Sequence, residues 1–472
     1  MVFSSPVFLF LFFPAVLGLY FLIPRKFLQA RNAVLTVASL IFYGFGEPFA
    51  MLLMLGVVLW SWGCALLMQK GPLCKKLFLP LGILGDLGVL IIYKYADFLI
   101  TTVNDLFGIS LPLMQLRLPI GISFFVFQAM SYVIDVARNE AKPQKNYFLL
   151  LLYISFFPQL IAGPIVRYQT VAEALTARQT TPEQLACGMR RLIFGLSKKL
   201  LLADTLGLLT DKVFAMTDTL ALPTAWLGAV CYALQIYYDF SGYSDMAIGM
   251  GQIFGFAFPE NFRFPYCAAS ITEFWRRWHI SLTTWFRQYL YIPLGGNRKG
   301  TVRTVLNKWI VFLCTGLWHG ASWNFVIWGA LHGLFMMIET PFVKKEKKTN
   351  QPKNKWYLHI YTLLVVVIAF VIFRADDLEQ AGRVYRAMFT GIHLSAASLS
   401  ACTQLLSPLV LTVLAAACLF ATPLPEMIVQ RCASRAKALT GTVLGILSLI
   451  LLALCMMNAA ATTYHPFIYF RF

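Results

Sequence analysis

The chain has 472 residues, of which 59% are hydrophobic and only 13% charged, with a mean hydropathy of +0.69. A soluble domain carries about 25% charged residues, so this supply cannot clothe a water-facing surface; a soluble enzyme, a disordered chain and a fibrous protein are excluded, and a polytopic membrane protein is expected. Lys and Arg outnumber Asp and Glu by 39 to 21, a net charge of +18. In a membrane protein that excess reads as cationic cytoplasmic loops and contact with anionic lipid, not nucleic-acid binding, because no basic, aromatic-interleaved module accompanies it.

Met1 to Tyr20 is apolar, and the first basic residue, Arg25, comes after the run. A signal peptide would carry its charge first, so this stretch is expected to be a retained segment with Arg25, Lys26 and Arg31 on its cytoplasmic flank. A spanning helix needs about 20 mostly apolar residues. Such windows fall near 6–24, 33–68, 77–100, 120–136, 147–163, 185–206, 222–256, 305–340, 356–373, 404–422 and 440–461. They predict an all-α protein of roughly 10–12 transmembrane or re-entrant helices, in a single membrane domain over residues 1–472. No soluble domain fits between them, and no internal repeat of the transporter kind is visible. The ten cysteines form no CxxC pair, so neither a metal site nor a disulfide framework is expected.

Inside the 222–256 window lies YYDFSGYSDM, with Asp239, Ser241, Ser244 and Asp245. Buried carboxylates need partners. The reading preferred here is structural: Asp239 and Asp245 anchor the following loop through the Arg276/Arg277 pair or through hydroxyls. A proton-coupled transporter using the two carboxylates is the alternative.

Between Arg263 and Arg303 seven basic residues face one acid, Glu273, and a second basic run follows from Lys344 to Lys355. The positive-inside rule places both in the cytoplasm, so the apolar stretch between them, 305–340, must be a hairpin or re-entrant pair. A third polar stretch runs from Arg374 to Arg386. Residues 271–291, ITEFWRRWHISLTTWFRQYLY, repeat aromatic and apolar residues every three or four positions. That predicts an amphipathic helix lying in the interface, its tryptophans at the boundary. Gly295-Gly296-Asn297 should end it in a turn.

Of the six histidines (His279, His319, His332, His359, His393 and His465), His319 falls between the two halves of the hairpin, flanked by Gly316 and Gly320. An ionisable residue at membrane depth usually lines a cavity, and glycines allow close approach. The bland reading is a histidine capping a helix end. His279 sits on the amphipathic helix, where a histidine at the polar edge is commonplace. His332 lies 13 residues beyond His319, roughly 20 Å along a straight helix, so it reads as a packing residue. A neutral imidazole suits removal of a proton from an alcohol as it attacks an acyl carbon.

Seven stretches together resemble the membrane-bound O-acyltransferase superfamily, most closely its bacterial alginate O-acetyltransferase branch: MVFSS at 1–5, FFPQLIAGPIVRY at 156–168, YYDFSGYSDMAIG at 237–249, ENFRFPY at 260–266, residues 271–300, GLWHGASWNFVIWGALHG at 316–333 and FIYFRF at 467–472. The resemblance implies a ring of helices around a thin centre, with a funnel on each face and the catalytic histidine where they meet. It implies that His319 is that histidine and that His279 is a second functional one on the cytoplasmic side. It further implies a cytoplasmic acyl thioester donor, acetyl-CoA or a phosphopantetheine carrier, used as substrate without a bound cofactor. An extracytoplasmic acetyltransferase partner and polysaccharide would receive the acyl group, in a bacterial inner or plasma membrane.

Arg276, Arg277, Arg298 and Lys299 are candidates for the donor phosphates, being basic and on the donor side. Trp278, Trp318 and Asn261 join them as candidate substrate-binding residues, and Asp239, Asp245 and Ser241 as structural polar residues. His319 would serve as general base or as acyl carrier. The sister branch, which transfers D-alanine to teichoic acid from a carrier protein, is the alternative function; a non-enzymatic flippase is the more distant one.

Overall fold

The computed structural model describes residues 1–349, 356–392, 395–461 and 467–468, the stretch 341–349 by its backbone alone. Lys353, Lys355, His393, His465 and the last four residues of FIYFRF lie outside the described residues. Among the described residues every regular element is a helix, as expected where no water is available to satisfy backbone N–H and C=O groups.

Among the described residues four helices are long and apolar enough to cross a membrane: Pro48–Lys70, Pro72–Phe107, Trp356–Arg374 and Lys437–Ala461. A fifth crossing is formed if the pair Ala396–Leu405 and Pro408–Phe420, bent by 68°, counts as one. Fewer helices reach full length than the apolar windows suggest, because the chain breaks inside several windows. The 33–68 window, long enough for two segments, holds two, α1 (Leu28–Gly44) and α2 (Pro48–Leu67), parted before Pro48. The 147–163 window becomes a nine-residue helix followed by a single turn. Proline at a first helical position starts a helix and discourages continuation from the preceding residue.

The chain forms two compact units. The first comprises Met1–Leu192 and Tyr243–Glu260. In it α2 packs with α3 (Pro72–Leu90) and α4 (Ile122–Ala137). Asp86 of α3 is fully buried and accepts the Ser61 hydroxyl of α2 at 3.1 Å. Near its C-terminal boundary, Arg191 of α5 (Pro182–Ser197) reaches the end of α6 (Leu222–Ile253). Its guanidinium takes Asp245 at 2.9 Å and Glu260 at 2.5 Å. Asp245 is therefore anchored, but by Arg191 and not by Arg276 or Arg277. An arginine fork binds two carboxylates in one plane, and Arg191 supplies that geometry from a neighbouring helix.

The second unit comprises Ile193–Gly242 and Asn261–Phe472. Here Asp239 also differs from expectation: buried Lys199 holds it at 2.8 Å and Asp204 at 2.6 Å, while the Ile468 N–H donates to its other oxygen at 2.7 Å. Ser241 is buried two residues further along α6. The rest of the unit is built on α7 (Ile271–Arg277), α8 (Ile280–Phe286), α9 (Gly300–His319), α10 (Trp323–Thr349) and α11 (Trp356–Arg374).

Helices α9 and α10 form an antiparallel hairpin. A Cβ on Gly316 would lie 3.3 Å from the Gly329 Cα, and one on Gly329 would lie 3.1 Å from the Gly316 Cα, with the Phe325 and Phe312 carbonyls closer still. Small residues at such a crossing let two backbones touch, which is how helices associate where apolar burial alone gives no preference.

Candidate active site

The start of α7 is held from two directions. Ser270 accepts the Glu273 N–H at 3.0 Å, and the Glu273 carboxylate accepts the Ala269 N–H at 2.9 Å. The buried Glu339 of α10 accepts the N–H groups of Ile271 at 2.7 Å and Thr272 at 2.9 Å. These bonds satisfy helix N-terminal donors that have no partner within the helix. The sequence carried part of this signal, since Ser270-x-x-Glu273 is the capping-box spacing. Glu339 it did not reveal.

The expected continuous helix over 271–291 is broken. Trp278 is extended, at φ −104° and ψ 129°, and His279 is left-handed, at φ 45° and ψ 54°. A left-handed conformation is costly for a side chain with a Cβ and persists only where surroundings hold it. Here the Ile280 N–H donates to the Asn261 carbonyl at 2.9 Å and the Arg263 N–H to the Arg277 carbonyl at 2.9 Å. The break turns the chain inward. His279 is fully buried, not at a polar edge, and Trp278 is buried against Phe274, Phe262 and Phe370 instead of lying on the protein surface.

His319 is the last residue of α9 and is 2% exposed. Its ring lies 5.1 Å from Trp328, 5.2 Å from Phe373, 5.0 Å from Trp318 and 6.4 Å from His279, centroid to centroid. Trp318 also faces His279 at 5.6 Å. The two histidines expected to matter are thus brought together from separate elements, with Trp318 between α9 and the His279 bend. His332 is closer than a straight helix would allow, because the chain folds back after Gly320: the Trp328 ring touches His319 on one side and His332, at 4.9 Å, on the other. His332 Nδ1 accepts the Trp275 indole N–H at 3.3 Å.

Beside this aromatic cluster lies a cavity of about 650 Å³. Its cationic lining is Arg276, Arg287 and Lys308; threonines and Asn297 add polar groups, and Trp275, Phe312 and Thr315 contribute apolar and mixed surface. Trp275 of the cavity lining meets Trp328 at 5.7 Å, and Trp328 in turn meets His319. Of the expected phosphate ligands, Arg276 is exposed and lines the cavity. Arg277 is instead paired with Glu273 at 2.5 Å.

Arg298 and Lys299 are exposed on the turn after residue 294 and do not line the cavity. That turn has Gly295 at φ 104° and Gly296 at φ 55°, and Asn307 of α9 donates to the Gly296 carbonyl at 2.9 Å. Arg287 and Lys308 were missed as candidates because one falls where the helical repeat looks continuous and the other begins an apolar window.

The chain belongs to the membrane-bound O-acyltransferase family, whose sequence model matches residues 104–375, and it is an O-acyltransferase in a membrane. Its relatives are similar over most of their length. The probable alginate O-acetylase AlgI of Azotobacter vinelandii is 39% identical, each chain covered in full. That of Pseudomonas putida is 44% identical over 83% of this chain and 80% of its own. The peptidoglycan O-acetyltransferase of Helicobacter pylori is 34% identical over 82% of this chain and 80% of its own.

Proposed function

We propose that the protein transfers an acetyl group from a cytoplasmic thioester to a hydroxyl destined for, or carried by, an extracytoplasmic polysaccharide, working from a multi-pass position in a bacterial inner or plasma membrane. The observation that carries this reading is the meeting of His279 and His319 beside a cation-lined cavity of about 650 Å³. The cavity suits the phosphates and arm of acetyl-CoA or of a phosphopantetheine carrier, with Arg276, Arg287 and Lys308 as their cations. Glycan acetylation by similar proteins supports the acceptor class, and a secreted partner enzyme would complete the route.

His319 acts as general base. Its imidazole takes the proton of the acceptor hydroxyl as the oxygen attacks the thioester carbonyl carbon. A C–O bond forms, the C–S bond breaks, and the proton taken up by His319 passes to the departing thiolate, which leaves as the thiol and returns the imidazole to its neutral form. Trp318, Trp328 and Phe373 exclude water that would otherwise hydrolyse the thioester.

The test is His319→Ala in proteoliposomes loaded with acetyl donor, read as labelled acetyl transferred per folded molecule. Transfer should fall by about 10²–10⁴-fold at unchanged yield of inserted protein. Transfer within about twofold of wild type removes His319 from the mechanism. The same assay run with a D-alanyl carrier as donor decides between the two branches.

A further inference from the structure

Asn261 is 1% exposed and lies on the loop preceding α7, eighteen residues before His279. Its side-chain oxygen accepts the Ser281 N–H at 3.2 Å and the Ser281 hydroxyl at 2.9 Å. A backbone N–H can only donate, so the amide of Asn261 is oriented with Oδ1, and not Nδ2, toward this bend. The same oxygen lies 3.2 Å from His279 Nδ1. A ring nitrogen facing a committed acceptor carries the hydrogen, and the neutral ring then has its lone pair on the other nitrogen. Asn261 also holds the backbone, its carbonyl accepting the Ile280 N–H at 2.9 Å just beyond the left-handed His279.

We propose that Asn261 is a positioning residue: it fixes His279 in the Nδ1–H form and in its left-handed bend, so that the neutral imidazole meets the reaction site with Nε2 as a proton acceptor. The proposal rests on the reading of His279 as part of the acyl-transfer site. It replaces the expectation that Asn261 binds substrate directly. The bend needs both halves of the device. The backbone bond keeps a strained residue in place, and the side-chain oxygen decides which ring nitrogen is basic, a division also seen where outer-shell oxygens orient histidine ligands.

The ring is held among aromatic groups, with Asn261 Oδ1 at its Nδ1. From α6 the ring meets Phe240 at 4.6 Å, and from α9 it meets Trp318 at 5.6 Å and His319 at 6.4 Å, the titratable group set against it. Arg277, two residues back, is engaged by Glu273, and Asp239, one residue before Phe240, by Lys199.

Two variants and a spectrum test this. Asn261→Ala removes the acceptor; kcat should fall by up to about 10²-fold, the scale of an ångström-sized misplacement, with donor KM nearly unchanged. Asn261→Asp keeps an acceptor oxygen but adds a negative charge, which favours the imidazolium. It should retain more turnover than the alanine variant and move the acid limb of the kcat/KM profile to higher pH by about one unit. Nitrogen-15 spectra of histidine-labelled protein, assigned by difference against His279→Gln, should place the hydrogen on Nδ1 in the wild type and in Asn261→Asp. A wild-type His279 protonated on Nε2 overturns the proposal even if Asn261→Ala fails to fold. Wild-type kcat per folded molecule in Asn261→Ala overturns it as well. Should His279→Gln itself transfer at the wild-type rate, the functional reading of His279 fails, while the spectrum still decides what Asn261 does.

Discussion

Arg277 reaches one turn back to Glu273, whereas its neighbour Arg276 lines the cavity together with Lys308 and Arg287. The difference follows from helix geometry. Residues four apart on α7 face one another, so Arg277 finds Glu273 as its partner, and Arg276, about 100° round, does not. Charge-assisted contacts to phosphate contribute about 1.5–3 kcal/mol, and a lysine lacks the planar fork that makes two such bonds at once. Arg276→Lys should therefore raise the apparent donor KM about tenfold or more with kcat and yield little changed. Arg277→Lys should leave donor KM within about twofold, since Arg277 is engaged by Glu273 and does not line the cavity. Donor-concentration curves in proteoliposomes, with inserted protein quantified beside them, measure both. Equal effects from the two substitutions would show that the cavity is not where donor phosphates bind.

At the scale of elements, the hairpin and the bend fared differently under sequence reasoning, for physical reasons. The α9/α10 hairpin was legible because two basic stretches bracket an apolar length too short for anything else, and because glycines mark its tip. The bend at His279 was not. Phe274, Trp275, Trp278, Leu282, Trp285 and Phe286 keep helical spacing through it, and the bonds that impose it come from Asn261 and Arg263, which periodicity does not register. The carboxylate partners were hidden likewise: Arg191 and Lys199 reach Asp245 and Asp239 from 54 and 40 residues away in sequence. The hairpin's own determinant is the contact of Gly316 with Gly329. Gly329→Leu would drive a side chain into the Phe312 carbonyl and the Gly316 backbone, neither of which can yield as a flexible side chain would. Overpacking of this kind costs about 1–3 kcal/mol or more. Gly333→Ala meets the Phe312 Cβ at 3.3 Å and Trp309 at ordinary contact distances of 3.9–4.0 Å, and should cost far less. Detergent-solubilised thermal stability compares them; a Gly329→Leu protein as stable as Gly333→Ala would mean that the crossing is not set by these glycines.

For the whole molecule the governing quantity is where its excess of positive charge lies relative to the membrane. Within the second unit, α9 starts just after Arg298-Lys299 and α10 continues through Lys344, Lys345, Lys347 and Lys348. The antiparallel pairing brings these ends together. Lys308, in the third turn of α9, donates to Thr340 of α10 at 2.8 Å, while Gly316, near the other end of α9, packs on Gly329, close to the start of α10. His319 ends α9, which at 20 residues is about 30 Å long, comparable with the hydrocarbon thickness of a bilayer. The two basic ends thus share one side, which the positive-inside rule predicts to be the cytoplasmic one. A donor would then enter from the side where Arg276 and Arg287 line the cavity, and His319 would meet the acceptor hydroxyl at the far end of α9. Single cysteines at Arg298 and at Lys347, in a background without the native cysteines, test this arrangement. Among the native residues Cys187, Cys418 and Cys432 are exposed and would otherwise react. Both introduced thiols should resist a membrane-impermeant maleimide in intact cells and react after permeabilisation. Reaction at one site and protection at the other would break the hairpin pairing, and reaction at both in intact cells would invert the direction of transfer.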